Sequence, residues 1–166
     1  MAAQSHAQTT DATEVVLAVR NLRKEFPSNK GLAVQALRNV SLNALRGQVT
    51  GLVGADGAGK TTLIRTAAGL IVPTAGTVAV LGLDSMVHTI EIQSRVGYMP
   101  QKFGLYQDLT VTENMNLYAD LQGVPSSKRK DRYHRLLQMT GLEPYTRRMA
   151  GALSGGMKQK LGLACS

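Results

Sequence analysis

The chain has 166 residues, 43% of them hydrophobic and 18% charged, which allows one domain with a core of its own and is unlike a disordered or membrane-spanning chain. No stretch approaches the roughly 18 consecutive apolar residues of a spanning helix, and the opening MAAQSHAQTTDAT lacks the basic start and apolar run of a secretory leader, so the expected compartment is the cytoplasm. The formal charge of +8 is uneven, because residues 121–166 hold nine basic and two acidic side chains and so seven of the eight net charges.

Residues 1–13 are small, polar and patternless and read as a disordered tail, with His6 solvated within it. Val15 to Val19 form a β-branched run, and Ala33 to Leu42 alternate apolar and polar around an expected turn at Arg38 and Asn39, which predicts two or three early antiparallel strands. Gln48 to Val53 reads as a buried strand, and Lys60 to Leu70 as a helix closed at Gly69. A turn over residues 72–76 separates these from two further expected strands, Thr77 to Leu81 and Arg95 to Met99.

From Gln101 the pattern becomes helical. Thr110 and Glu113 have capping-box spacing ahead of Val111, Met115, Tyr118 and Leu121, and Gly123 with Pro125 stops that helix. Ser127 is the expected cap of the next, whose apolar stripe is Tyr133, Leu136, Leu137 and Met139 or Thr140, with a left-handed stop at Gly141. Its basic run, Lys128, Arg129, Lys130, Arg132 and Arg135, reads as the solvated face. The single thiol, Cys165, excludes an internal disulfide framework and reads as core filler. His88 and His134 have no ligand-like spacing.

Gly54-Ala55-Asp56-Gly57-Ala58-Gly59-Lys60-Thr61 satisfies G-x-x-x-x-G-K-[ST] between an expected strand and an expected helix, with Thr62 following. Glycines permit backbone angles and close approach that a Cβ forbids, so successive amide N–H groups can converge on phosphate oxygens. A helix opening at Lys60 adds positive dipole, its ammonium reaches the β and γ phosphates, and the Thr61 hydroxyl is placed for Mg²⁺. Asp56 puts a carboxylate in a loop built for anions, so its side chain is expected to turn outward onto local backbone amides.

Leu153-Ser154-Gly155-Gly156-Met157 follows about a hundred residues later, with Tyr98-Met99-Pro100-Gln101 between. Together with the phosphate loop, this set resembles the ABC ATPases. The resemblance implies an α/β P-loop NTPase fold with an N-terminal antiparallel β lobe and a helical lobe, ATP and Mg²⁺ as cofactors, and ATP hydrolysis coupled to transport. Residues 1–13 would be the tail, 14–102 the β lobe and P-loop core, 103–152 the helical lobe, and 153–166 the signature motif and the start of its helix. The family's signature is L-S-G-G-Q, which closes over the γ-phosphate held by a partner domain, and here Met157 replaces the glutamine. Gln101 corresponds to the Q-loop glutamine that reaches Mg²⁺ and the attacking water, and Phe26 to the aromatic that stacks on adenine.

The phrase from Gly97 to Gly123 looks most like bacterial ABC-2-type drug exporters. The implied partners are a transmembrane permease subunit and a second ABC domain, at the inner face of the cytoplasmic membrane, with no nucleic acid. Family members continue past the signature helix into a strand ending Asp-Glu and then to a histidine switch. None of these lies within the 166 residues, so the fold is expected to be incomplete at its C-terminal side and the chain to bind ATP without turning it over. The alternatives are a soluble ABC ATPase acting on nucleic acid or the ribosome, with the basic half as its surface, and a non-catalytic nucleotide-binding remnant.

Overall fold

The computed structural model describes residues 14–28, 31–101 and 104–166; the tail with His6 lies outside them. Contacts divide the chain into two compact units, meeting between Val96 and Gly97.

The first unit is built on β1 (Val15–Phe26), which pairs with β2 (Val34–Leu45) on one side and β3 (Ala75–Val80) on the other. A short β4 (Leu83–Asp84) completes an antiparallel sheet of order β2-β1-β3-β4. Side chains alternate across a strand, so one inserted residue exchanges the faces. In β1 that residue is Asn21 (φ 48°): Leu17 and Val19 face the core before it, and Leu22 after it. Gly76, at φ 84°, lies against the Asn21 and Arg20 carbonyls, where a Cβ would collide with backbone.

A matching irregularity at Asn39 (φ 57°) lies within β2. The expected turn at Arg38 and Asn39 is therefore a bulge in one continuous strand. The break in alternation is real, and the bulge on β1 opposite absorbs it without reversing the chain.

Helix α1 (Lys60–Ala67) places Leu63 among Val19, Leu22, Leu37, Val78 and Val80. It ends three residues before Leu70; Gly69, at φ 69°, closes the turn that follows. Helix α2 (Thr89–Arg95), which the sequence did not announce, adds the fully buried Ile92 to the same core. Burying each such aliphatic side chain is worth about 1.5–3 kcal/mol.

Two expected strands are not formed. Residues 48–53 make no ladder pairing among the described residues, and Val49 and Val53 are 102% and 96% exposed. Residues 96–99 follow α2 without ladder pairing. A β-branched run becomes a strand only when a neighbour accepts its backbone hydrogen bonds, and the described sheet ends elsewhere.

The second unit is helical: α3 (Val111–Leu121), α4 (Ser126–Thr140) and α5 (Gly155–Cys165), around Val111, Met115, Leu137, Leu142, Leu161 and Cys165. The capping box forms as expected, Thr110 Oγ1 accepting from Glu113 N and the Glu113 carboxylate from Thr110 N. The bonds that Thr110 N and then Thr110 Oγ1 donate to the carboxylate hold the Glu113 carboxyl below its ordinary value. Pro125, not Ser127, stands at the N-cap of α4, and Ser127 lies inside the helix. Proline there fixes the entry angle without needing a donor. Thr140 takes the buried end of the α4 stripe and Met139 faces outward, while Gly141 provides the left-handed stop.

Candidate phosphate-binding site

The loop over residues 54–59 leads directly into α1, whose N-cap is Gly59 in the left-handed region (φ 87°). No side chain caps this end and no acidic residue lies in its first turn, so the first amides of α1 keep their donor capacity for an anion. Gly57 is also left-handed (φ 78°), and a Cβ there would meet nothing within 4 Å. Gly59 is different, because a Cβ would run into the Ala36 carbonyl oxygen and come to 2.9 Å from Leu37 Cδ2. One glycine keeps the loop open and the other lets β2 support it.

Lys60 is tethered inside the loop: its ammonium donates to the carbonyls of Gly54 and Ala55, both at 2.7 Å. The positive charge is thus held over the loop before any ligand arrives, and a phosphate must compete only with two neutral acceptors. Thr61 lies exposed in the first turn of α1, and its hydroxyl makes no protein hydrogen bond among the described residues, which leaves it available to a cation. Thr62 is half-buried, its carbonyl accepting from Thr66 Oγ1 at 2.8 Å. The donor set fits a polyphosphate with its counter-ion. Asp56 points into solvent, as expected, but its predicted bonds to local amides are not made among the described residues.

Beside the loop runs a groove of about 380 Å³ between residues 35–40 of β2 and Gly57–Ala58. Arg38 lines it, a cation that no motif in the sequence signalled. Phe26 ends β1 opposite Val34, on the hairpin that carries Ala36 and Leu37 to the loop. Its half-buried ring has the Lys24 ammonium over it, 4.9 Å from the centroid. The first unit therefore gathers Phe26 and the whole phosphate loop.

A family model for the ABC transporter matches residues 37–166. The chain belongs to that family. This ABC cassette is 52% identical over 153 residues to the probable multidrug ABC transporter ATP-binding protein YbhF of Escherichia coli, covering 92% of this chain and 26% of that one. It is 37% identical to the methionine import ATP-binding protein MetN 2 of Paraburkholderia xenovorans, covering 98% of this chain and 42% of the relative. The cassette thus spans between a quarter and a half of these relatives' lengths. Among solved structures, the MJ0796 ATP-binding cassette, described as a dimer in a post-hydrolysis state with ADP and Pi, matches at TM-score 0.78 and 26% identity over 90% of this chain and 68% of that one. The fold is accordingly the α/β architecture of the ABC ATPases.

Leu153, Ser154, Gly155, Gly156 and Met157, the residues expected to form the signature, lie in the second unit. Ser154 caps α5, its Oγ accepting from Met157 N at 3.3 Å, and Leu153 is buried in the helical core. Gly155 and Gly156 open the helix, and a Cβ on either would meet nothing within 4 Å. Their absence of side chains is therefore not required by packing inside this unit. Met157 packs on the core cluster, which accounts locally for an apolar residue in place of glutamine. Gln101 is exposed in the second unit and is not part of a strand end.

Asn114 escaped the sequence reading as a separate determinant. It is fully buried, accepts from Tyr106 N and has its amide nitrogen within bonding distance of the Tyr106, Leu109 and Thr110 carbonyls. An asparagine in an otherwise apolar helical stripe was the available signal. Cys165 is buried as expected, and burial pushes its thiol up to about 12. His134 Nδ1 lies 3.3 Å from Glu143 on the surface, and no group of three or more His, Cys, Asp or Glu side chains that could hold a metal occurs among the described residues.

Proposed function

We propose that this chain is the ATP- and Mg²⁺-binding part of a subunit that energises an export system, acting with a transmembrane permease and a second ABC domain at the inner face of the membrane. The observation that carries the reading is the placement of Lys60 across the glycine loop, beside an α1 N-terminus with no side-chain cap and no acidic residue in its first turn. Bound MgATP supplies the high-energy phosphoanhydride. The chain's own residues supply the grip: the amides of 57–61 and the Lys60 ammonium toward the phosphates, the Thr61 hydroxyl toward the metal, and Phe26 toward the base. Export rather than import rests on the resemblance of residues 97–123 to drug exporters and on the higher identity to a relative named for multidrug transport than to one named for methionine import.

Ser154, Gly155 and Gly156 fit a second phosphate-facing surface that works against another cassette. The two glycines clear space that their own unit does not use, and the helix end behind them is an anion site only from outside. Gln101 is assigned to the metal and the attacking water, and to sensing the permease. Titration calorimetry with ATP, with and without Mg²⁺, tests the proposal: Mg²⁺-enhanced binding lost on Lys60→Ala is expected, and ATP binding indifferent to both Mg²⁺ and Lys60 would remove it. Expression of the gene in a drug-sensitive strain tests direction, with reduced drug accumulation expected.

A further inference from the structure

The bulge at Asn21 has a consequence at the far end of β1. By exchanging the faces of the strand it puts Leu22, Lys24 and Phe26 on one side, with the more exposed Arg23 and Glu25 on the other. A lysine two residues from an aromatic on the same face of a strand stands beside the ring, and here the Lys24 ammonium lies over the Phe26 ring at 4.9 Å from its centroid. That ammonium is not free to wander, because it donates to the Val72 carbonyl at 2.9 Å, in the turn between α1 and β3. The same turn is bonded to the strand by its neighbours: Thr74 N donates to the Arg23 carbonyl at 2.9 Å and Glu25 N to Thr74 Oγ1 at 3.0 Å.

We infer that Lys24 is a positioning residue for nucleotide recognition, holding one face of Phe26 so that the other is presented to the base. The inference rests on the reading of Phe26 as the base-stacking residue and assigns its orientation to a side chain outside the phosphate loop. Two physical effects act together. The fixed ammonium restricts rotation of a half-buried ring at a strand end, so less conformational freedom is lost when a base stacks on it. A cation over one face also draws on the ring's π density, which favours stacking of an electron-rich purine on the opposite face. Attachment to the Val72 carbonyl makes this orientation depend on the turn that follows α1, so the base contact and the helix carrying Lys60 and Thr61 are braced on one another.

The test compares two ligands on the full 166-residue chain: ATP, which has a base, and inorganic tripolyphosphate, which has none. Lys24→Met keeps the aliphatic stem and removes the charge and the donor; Lys24→Arg keeps a cation able to sit on the ring. With Lys24→Met, ATP affinity is expected to fall about two- to five-fold, the range of an exposed cation–π contact, with tripolyphosphate affinity unchanged and Lys24→Arg close to the parent. Equal losses for both ligands would make Lys24 a phosphate or folding residue and overturn the inference, as would unchanged ATP affinity in Lys24→Met. Phe26→Ala separates the underlying reading: if it spares ATP affinity, stacking on Phe26 is wrong and the role of Lys24 falls with it. If Phe26→Ala weakens ATP alone while Lys24→Met does nothing, only the Lys24 inference fails.

Discussion

Gly59 and Ala36 meet backbone to backbone, so closely that a Cβ on Gly59 would overlap the Ala36 carbonyl oxygen. The phosphate loop is therefore supported from the side by β2 as well as from below by α1. Gly59→Ala must shift the loop, the strand or both, and also places alanine at φ 87°, a conformation costing about 1–2 kcal/mol for an L-residue. Gly57→Ala carries similar strain at φ 78° with open space around it. Thermal denaturation should therefore show a larger loss for Gly59→Ala, by several degrees at about 4–8 °C per kcal/mol for a unit of this size. Equal losses would mean that the contact with β2 does not hold the loop.

Lys60 and Ser154 should separate cleanly in a monomer. Lys60→Ala removes the only ammonium held inside the loop among the described residues and should lower ATP affinity at least tenfold, since charge-assisted bonds contribute about 1.5–3 kcal/mol each. Ser154→Ala deletes the cap of α5 and should destabilise the second unit by about 1 kcal/mol while leaving monomer ATP affinity within twofold. Calorimetry on material confirmed as monomeric by light scattering decides the matter. A comparable affinity loss in both variants would contradict the assignment of Ser154 to a second cassette.

Asn114 ties the chain from Tyr106 to Thr110 onto α3, and Asn114→Ala removes the acceptor of Tyr106 N and the amide donor to three carbonyls that keep backbone donors of their own. Leaving one amide unpaired and losing the side-chain bonds costs about 1–3 kcal/mol, and chemical denaturation should show a loss in that range. A loss under 0.5 kcal/mol would mean that water replaces the amide, ~0.5 kcal/mol being the scale of an ordinary surface substitution.

The Cys165 thiol, raised to about 12 by burial, is neutral in the folded chain at physiological pH. Its folded value lies above the ordinary thiol value of 9.0, so the stability it contributes is complete below pH 9 and declines as pH rises toward 12. Glu113 runs the opposite way, since its value is lowered: its contribution is present above the ordinary carboxylate value and is lost as pH falls through the lowered one. Native Cys165 should resist a thiol reagent at pH 8 and react at once in denaturant. Rapid labelling of the native chain would show that α5 opens.

Much of this arrangement could be read from residues alone, for reasons that differ from site to site. The phosphate loop, the capping box at Thr110, the stop at Gly141 and the Ser154 cap are local chemistry, decided within four or five residues. The bulges at Asn21 and Asn39 were not legible as such, because a break in alternation means a turn or a bulge depending on the strand opposite. Residues 48–53 carry every local sign of a strand, yet strand formation is a property of a pair. The support from Ala36 and the place of Arg38 in the groove arise only when β2 runs beside the loop, and the bond from Lys24 only when the turn at Val72 meets β1. Asn114 and Met157 show the converse, where burial explains a residue that its pattern made odd.

Hydrolysis asks for one group more than binding does. Moving the attacking water's proton needs a base, and an amide such as that of Gln101, proposed to reach the water, does not accept one. Positioned acid–base catalysis contributes roughly 10² to 10⁴ in rate, about 3–5 kcal/mol of barrier. On the reading of Gln101 as a water-orienting residue, ATP binding is expected to be measurable where turnover is slow. The measurement is steady-state phosphate release by the purified chain, with Lys60→Ala as the control for contaminating ATPases: multiple turnovers that disappear in the variant would place a competent base among the residues described, with the carboxylates of the second unit the first to substitute.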